Sequence, residues 1–377
     1  MRQIKFYLVI AISVLAAARA RAQSMPAYSN EWLNIGAGAR GLSMGGAEVA
    51  SVNDATAGYW NPAGLAAVRD GSSFSAMHAD YFSGIGMYDY LAAAIPLNDD
   101  KRTLGITALR FGVDNIPNTL TLVDPVTGEV NYNNISNFSV GDYAALLSYG
   151  QMVKNTQNMQ ISFGANVKVL YQYAGSFTHS WGLGIDAGVM IHTPTWRFGA
   201  VVRDLTTTYN AWTSSLTDEE KQDLFLAGDS IPAKSTVELT KPSLILGGGY
   251  NIKFSSKFSI LAELNAHLTF DEQRNVLVSN KTVSIDPNFG LEANIANHVF
   301  IRGGIANMQR VLSDKDSLNQ KKTWLVQPSV GAGVRLGNVT IDYAFVELAN
   351  QSSALYTNVF SLRLDLVSKR HKLSFIK

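Results

Sequence analysis

The sequence predicts an all-β chain, a 14-stranded antiparallel transmembrane β-barrel, and three observations predict it. Apolar residues recur at every second position over most of the chain, many of these segments exceed the usual strand length, and the gaps between them alternate between short and long. Composition agrees. Only 16% of the 377 residues are charged, against roughly 25% in soluble domains. Lys and Arg number 31 against 30 Asp and Glu, and there is no cysteine. The near-neutral balance argues against nucleic acid as a partner. Without cysteine there is no disulfide, thiolate metal site or lipoprotein acceptor.

Residues 1–22 read as a signal peptide. Arg2 and Lys5 precede the apolar run 6–18, and Ala20-Arg21-Ala22 supplies the small-residue cleavage site. That run falls short of the ~20 residues a helix needs to cross a bilayer. Cleavage removes four cations and no anion, so the mature chain is faintly acidic.

Residues 23–72 do not alternate. They carry Gly38-Ala39-Arg40, Gly45-Gly46-Ala47, Asn53-Asp54-Ala55 and Tyr59-Trp60-Asn61-Pro62-Ala63-Gly64-Leu65. Gly36, Gly38 and Gly41 match the dinucleotide spacing, but that fingerprint needs a βαβ unit, so no nucleotide is expected. Glycines here suit a backbone passing close to a wall or adopting positive φ. Asn53 or Asp54 is placed to cap a short helical turn that Pro62 ends, with Tyr59 and Trp60 as anchors.

The barrel is expected over residues 73–366, in strands at about 73–80, 86–96, 103–112, 142–151, 160–172, 180–191, 196–203, 243–251, 257–269, 284–295, 298–306, 323–336, 339–348 and 356–366. Trp324, Val326, Pro328, Val330, Ala332, Val334 and Leu336 form one apolar stripe; Ile260, Ala262, Leu264, Ala266 and Leu268 form another. Such lengths match the ~9–11 residues a tilted strand needs to span a bilayer. Even-numbered gaps are short and most odd-numbered ones long, the pattern of periplasmic turns and outer loops, and an even count puts both ends of the barrel in the periplasm. Lys168, Asp186, Arg197, Arg203, Glu263, Glu292, Arg302, Arg335, Asp342, Arg363 and Asp365 fall on the faces opposite the apolar stripes, and so are expected to brace the lumen.

The longest gap, about 204–242, holds a helix start at Thr217 followed by Asp218, Glu219 and Glu220, then Leu224-Phe225-Leu226. Its length suits either a partner contact or simple cover. Residues 367–377 read as a periplasmic tail whose basic cluster Lys369-Arg370-His371-Lys372 is a docking point or solvated. No catalytic, cofactor or metal site is expected. The six histidines include no H-x-x-x-H pair; Glu263 and His267 stand about 13 Å apart along one strand, and His179 and Ser180 face opposite ways.

The run from Gly38 to Ala47, the Asn53-Asp54-Ala55 step and Asn61-Pro62-Ala63-Gly64-Leu65 resemble the N-terminal region of the PorV/PorQ family, within the FadL-like class of fourteen-stranded outer-membrane barrels. The resemblance implies that residues 23–72 fold into the lumen as a hatch, with Gly45, Gly46, Asn53, Asp54, Trp60, Asn61, Pro62, Ala63 and Gly64 carrying the motif. It implies a place in the outer membrane, in contact with its lipid, and a role in type IX secretion. There the partner is a translocon or a secreted protein bearing a C-terminal sorting domain. The motif ends in Gly64-Leu65, closer to the generic FadL-like form than to the Asn-Pro-Ala-Lys of PorV itself. The alternative is a FadL-type channel for hydrophobic small molecules, which calls for an apolar pocket at the hatch.

Overall fold

The computed structural model describes residues 29–97, 101–124, 127–226, 228–271, 273–312, 322–348 and 355–367. The expected signal peptide and residues 368–377 of the expected tail lie outside them.

Alternation places one row of side chains outward and one inward along each strand. The strands are β1 (Gly71–Tyr81), β2 (Gly86–Pro96), β3 (Arg102–Asn118), β4 (Ser136–Asn155), β5 (Gln160–Ala174) and β6 (Thr178–His192). Two strands are interrupted: β7 (Trp196–Arg203 and Thr208–Ser214) and β8 (Ser235–Thr240 and Ser243–Lys253). Then follow β9 (Phe258–Thr269), β10 (Ser284–Ile295), β11 (Val299–Leu312), β12 (Lys322–Leu336), β13 (Val339–Leu348) and β14 (Leu355–Val367). Each pairs antiparallel with the next, and β1 pairs with β14 from Gly71↔Val367 to Asp80↔Asn358, which closes the barrel. Closure leaves no unpaired edge, as a lipid environment demands. A two-residue strand, Val278–Ser279, adds to the outer end of β10.

The expected stripes face outward. Leu91, Ile106, Leu147, Val167, Leu264, Ile301, Val330 and Leu362 are all exposed, a belt that only lipid would cover. Aromatics edge it near the short turns, where Trp196 and Tyr250 lie 4.5 Å apart and Phe254 and Phe258 lie 5.4 Å apart. Tyr171 and Trp181, 4.8 Å apart, edge it near the long loops. Alternation carries lumen positions such as Lys168, Glu263 and Arg302 into burial on the opposite face.

The expected 39-residue gap at 204–242 is partly wall. Thr208–Ser214 pairs with both β6 and Ser235–Thr240, leaving residues 215–234 as the true loop. The gap after β3 shrinks likewise, because β3 and β4 run on to Asn118 and Ser136. These extensions are rich in Thr, Ser and Asn and lack an apolar row, so alternation did not reveal them. Their ladder hydrogen bonds hold them. Within the loop, the helix Asp218–Leu226 starts as expected: Thr217 and Glu220 form a capping box, the Glu220 carboxylate accepting from the Thr217 N–H at 2.7 Å.

Among the described residues the long connections all lie at one end and the other end carries short turns, including Ala296-Asn297 with both φ values positive and Gly337 at φ 61°. With these turns periplasmic, a protease site inserted after Gly228 is expected to be cut on intact cells. One inserted at Gly337 should be cut only after the outer membrane is permeabilised. Immunoblotting reads the difference, and equal protection of both sites would contradict the topology.

Candidate functional site

Residues 29–70 lie inside the barrel, and their fit begins with glycine. Across the lumen face of β3 to β12 run Gly105, Gly150, Gly164, Gly188, Gly199, Gly247, Gly290, Gly304 and Gly331. Gly150 and Gly188 both flank Gly164 across the ladder, Gly199 pairs with Gly247, and Gly290 with Gly304. A Cβ on Gly164 would sit 2.3 Å from the Pro62 carbonyl carbon, one on Gly304 2.2 Å from Gly45 N, and one on Gly199 2.4 Å from Val49 O. At these nine positions the wall carries no side chain, and the inner segment packs directly against it.

Side-chain bonds fix the register of this contact. Asp54 Oδ1 accepts from Thr56 N at 2.8 Å ahead of the helix Ala57–Trp60. Neither Asn53 nor Asp54 is the cap of that helix, whose N-cap is Thr56 without a side-chain bond; Asn61 caps the next turn, accepting from Ala63 N at 3.1 Å with Pro62 in the first position. The Asn61 amide donates to Val49 O at 3.0 Å and to Val189 O of β6 at 3.3 Å. Asn166 donates to Gly58 O at 2.6 Å, Asn265 to Gly46 O at 3.0 Å, and Gly45 N to Ser329 Oγ at 3.1 Å. Gly45 and Gly46 both take positive φ, which suits glycine alone at that close approach. Trp60 and Tyr59 are buried edge to face at 5.0 Å, and Trp60 Nε1 donates to Ala37 O at 2.8 Å. Ala63 and Gly64 are buried beneath them, while Asn53 is exposed at the periplasmic end.

The lumen charges join into ion chains. Arg40 of the inner segment bonds Glu48 and meets Glu292 at 2.9 Å; Glu292 also binds Arg302 at 2.7 Å, and Arg302 binds Asp342 at 2.6 Å. Arg363 holds Asp54 at 2.6 Å and Asp365 at 3.2 Å. Lys168 lies between Asp186 at 2.8 Å and Asp204 at 2.7 Å, closing the wall where β7 is interrupted. Glu263 accepts from Ala50 N at 2.8 Å. Arg335 bonds Thr340 at 3.4 Å and stacks over Phe300, and Arg197 lies in the field of Glu263 and Glu292. Among the described residues no three metal-type ligands gather.

Burial pushes the Glu48 carboxyl up to about 8, against the pull of Arg40. Burial also works on Asp54, yet Arg363 and the Thr56 donors hold its carboxyl below the usual range. The raised carboxyl makes Glu48 easier to protonate than a free carboxylate, so Glu48→Gln is expected to leave barrel stability within about 1 kcal/mol. Arg40→Met strips Glu292 of one cation in a buried chain and should cost about 3–5 kcal/mol. Denaturant titration followed by tryptophan fluorescence separates the two variants; equal losses would contradict this assignment of charge.

Cavities lie above and around the inner segment. One of about 310 Å³, lined by Gly45, Gly46, Trp60, Tyr81, Asp286, Asn288 and Gln327, is polar. A smaller one of about 50 Å³ meets Ser29, Asn30, Tyr59, Lys168, Arg203 and His267. The apolar space inside the barrel lies at the outer mouth. A cleft of about 800 Å³ is lined by Pro117, Leu120, Phe138, Phe177, Trp212, Leu216, Leu224 and Pro232, floored by Glu238, whose carboxylate accepts from Ser29 Oγ at 3.1 Å. Sequence reasoning missed both the glycine row and this cleft. The small residues opposite the apolar stripes signalled the first; the second is assembled from separate connections and has no local signal.

No protein-family model and no curated protein sequence matches the chain. Solved structures do. The toluene transporter TodX of Pseudomonas putida aligns over 88% of this chain and 98% of its own, at 13% identity and TM-score 0.55. The toluene transporter TbuX of Ralstonia pickettii aligns over 88% and 98%, at 14% identity and TM-score 0.54. The monoaromatic hydrocarbon channel CymD aligns over 89% and 98%, at 12% identity and TM-score 0.54. At such identities the likeness is one of fold alone: these proteins share a closed fourteen-stranded antiparallel barrel, and the belt of exposed apolar side chains on its outside is that of an outer-membrane barrel.

Proposed function

We propose that the protein is an outer-membrane channel for hydrophobic small molecules, with residues 29–70 as its hatch. The observation that carries this reading is the apolar cleft of about 800 Å³ at the outer mouth of an otherwise plugged and ion-braced lumen. Its volume falls in the range of small-molecule sites, and aromatic walls suit an apolar guest. The fold likeness to TodX, TbuX and CymD, whose names specify toluene or monoaromatic hydrocarbons, supports the same direction. Engagement of a type IX translocon or its cargo rests on the hatch motif alone, and so has less behind it.

In this reading the cleft concentrates the guest, and the hatch, fitted to the glycine row, keeps water and ions from following. A Leu216→Arg, Leu224→Arg double variant fills and charges the cleft without touching the hatch. Initial uptake of a labelled monoaromatic hydrocarbon at low concentration is expected to fall about tenfold, while heat-modifiable migration on gels still reports a folded barrel. Undiminished uptake would overturn the proposal.

A further inference from the structure

The charge around the outer cleft narrows what it can take, an inference that rests on the channel reading above. The residues lining it include two carboxylates, Asp229 and Glu238, and no Lys, Arg or His. The helix Asp218–Leu226 beside it adds Asp218, Glu219, Glu220 and Asp223 against Lys221 alone, and Lys221 is already paired with Asp218 at 2.8 Å. An anionic headgroup entering this space would lose water and meet two carboxylates among the lining residues, with Lys234 beside them on the exposed rim. Trp212 lines the same cleft, and its Nε1 is buried with no hydrogen-bond partner. An indole N–H is a donor only, so a guest satisfies it by presenting an acceptor. Phe138 and Phe177, edge to face at 5.3 Å, supply an aromatic wall.

We propose that the cleft selects uncharged aromatic molecules carrying a hydrogen-bond acceptor, such as aryl ketones and esters, and rejects carboxylates of the same size, fatty acids included. Trp212 is the donor that recognises the acceptor, and Asp229 and Glu238 are the groups that exclude the anion.

Three near-isosteric probes test this on the full chain in lipid nanodiscs: 2-acetylnaphthalene, 2-naphthoate and 2-ethylnaphthalene, with binding read by saturation-transfer NMR against empty nanodiscs. The ketone is expected to bind at least about tenfold more tightly than the carboxylate and about threefold more tightly than the hydrocarbon. Asp229→Asn with Glu238→Gln should bring the carboxylate within about threefold of the ketone. Trp212→Phe should erase the preference of ketone over hydrocarbon while both still bind. Heat-modifiable migration confirms that each variant is folded. Equal or tighter binding of the carboxylate by the unaltered protein overturns the inference and leaves the channel reading standing, as does a ketone preference that survives Trp212→Phe. Failure of all three probes to bind contradicts the channel reading itself.

Discussion

A chain lacking residues 30 to 65 is expected to insert as a folded barrel and to conduct ions in planar bilayers, where the intact protein stays closed. Wall side chains fill the interior of an eight-stranded barrel, but a fourteen-stranded wall leaves space that only an added segment fills. Here the wall facing that segment is lined by glycine over nine positions, which leaves the space wider still. In the proposed reading the closure therefore comes from residues 29–70. The deletion also removes Arg40 and Asp54, so Glu292 and Arg363 lose partners and will hydrate, drawing water into the lumen. Conductance about tenfold or more above the intact protein's baseline is expected. A silent deletion variant would contradict a plug.

The second large effect comes from a single wall position. Gly164→Leu is expected to unseat the Asn61-Pro62-Ala63 turn, because even a Cβ would lie 2.3 Å from Pro62 C and 2.5 Å from Ala63 N, both backbone atoms that cannot swing aside. Overpacking usually costs about 1–3 kcal/mol when side chains can adjust; a clash with a capped turn held by Asn61 to two carbonyls has less freedom. The hatch should become susceptible to protease added in detergent, while the barrel itself resists. Gly248, with no heavy atom within 4 Å of its would-be Cβ, provides the control, and Gly248→Ala should match the unaltered protein. Equal protease resistance in the two variants would contradict the fitted contact.

Much of the barrel was legible because alternation is a local signal. The strands at 86–96, 196–203, 284–295 and 339–348 were bounded to the residue. Where polar residues carry the wall beyond the lipid, as at Thr208–Ser214, the apolar row stops and the strand was invisible. The lumen charges were legible as a face but not as pairs: Arg302 and Asp342 are forty residues apart, and register between strands cannot be read from one sequence. Small residues opposite the stripes were visible at Gly164 and Gly331, but their reason, the inner segment packed against them, belongs to a stretch a hundred or more residues away. The cleft draws on three connections at the outer rim, so no stretch of sequence holds enough of it to be noticed.

The most direct test of the proposed channel compares cells that have the intact protein with cells that lack it, both retaining a normal outer leaflet. A labelled monoaromatic hydrocarbon, supplied at low concentration, should enter several-fold faster when the protein is present, and the set of secreted proteins should be the same in both. Equal rates of hydrocarbon uptake, with specific secreted proteins lost or left unattached in the cells that lack it, would contradict the channel and favour a role in protein secretion.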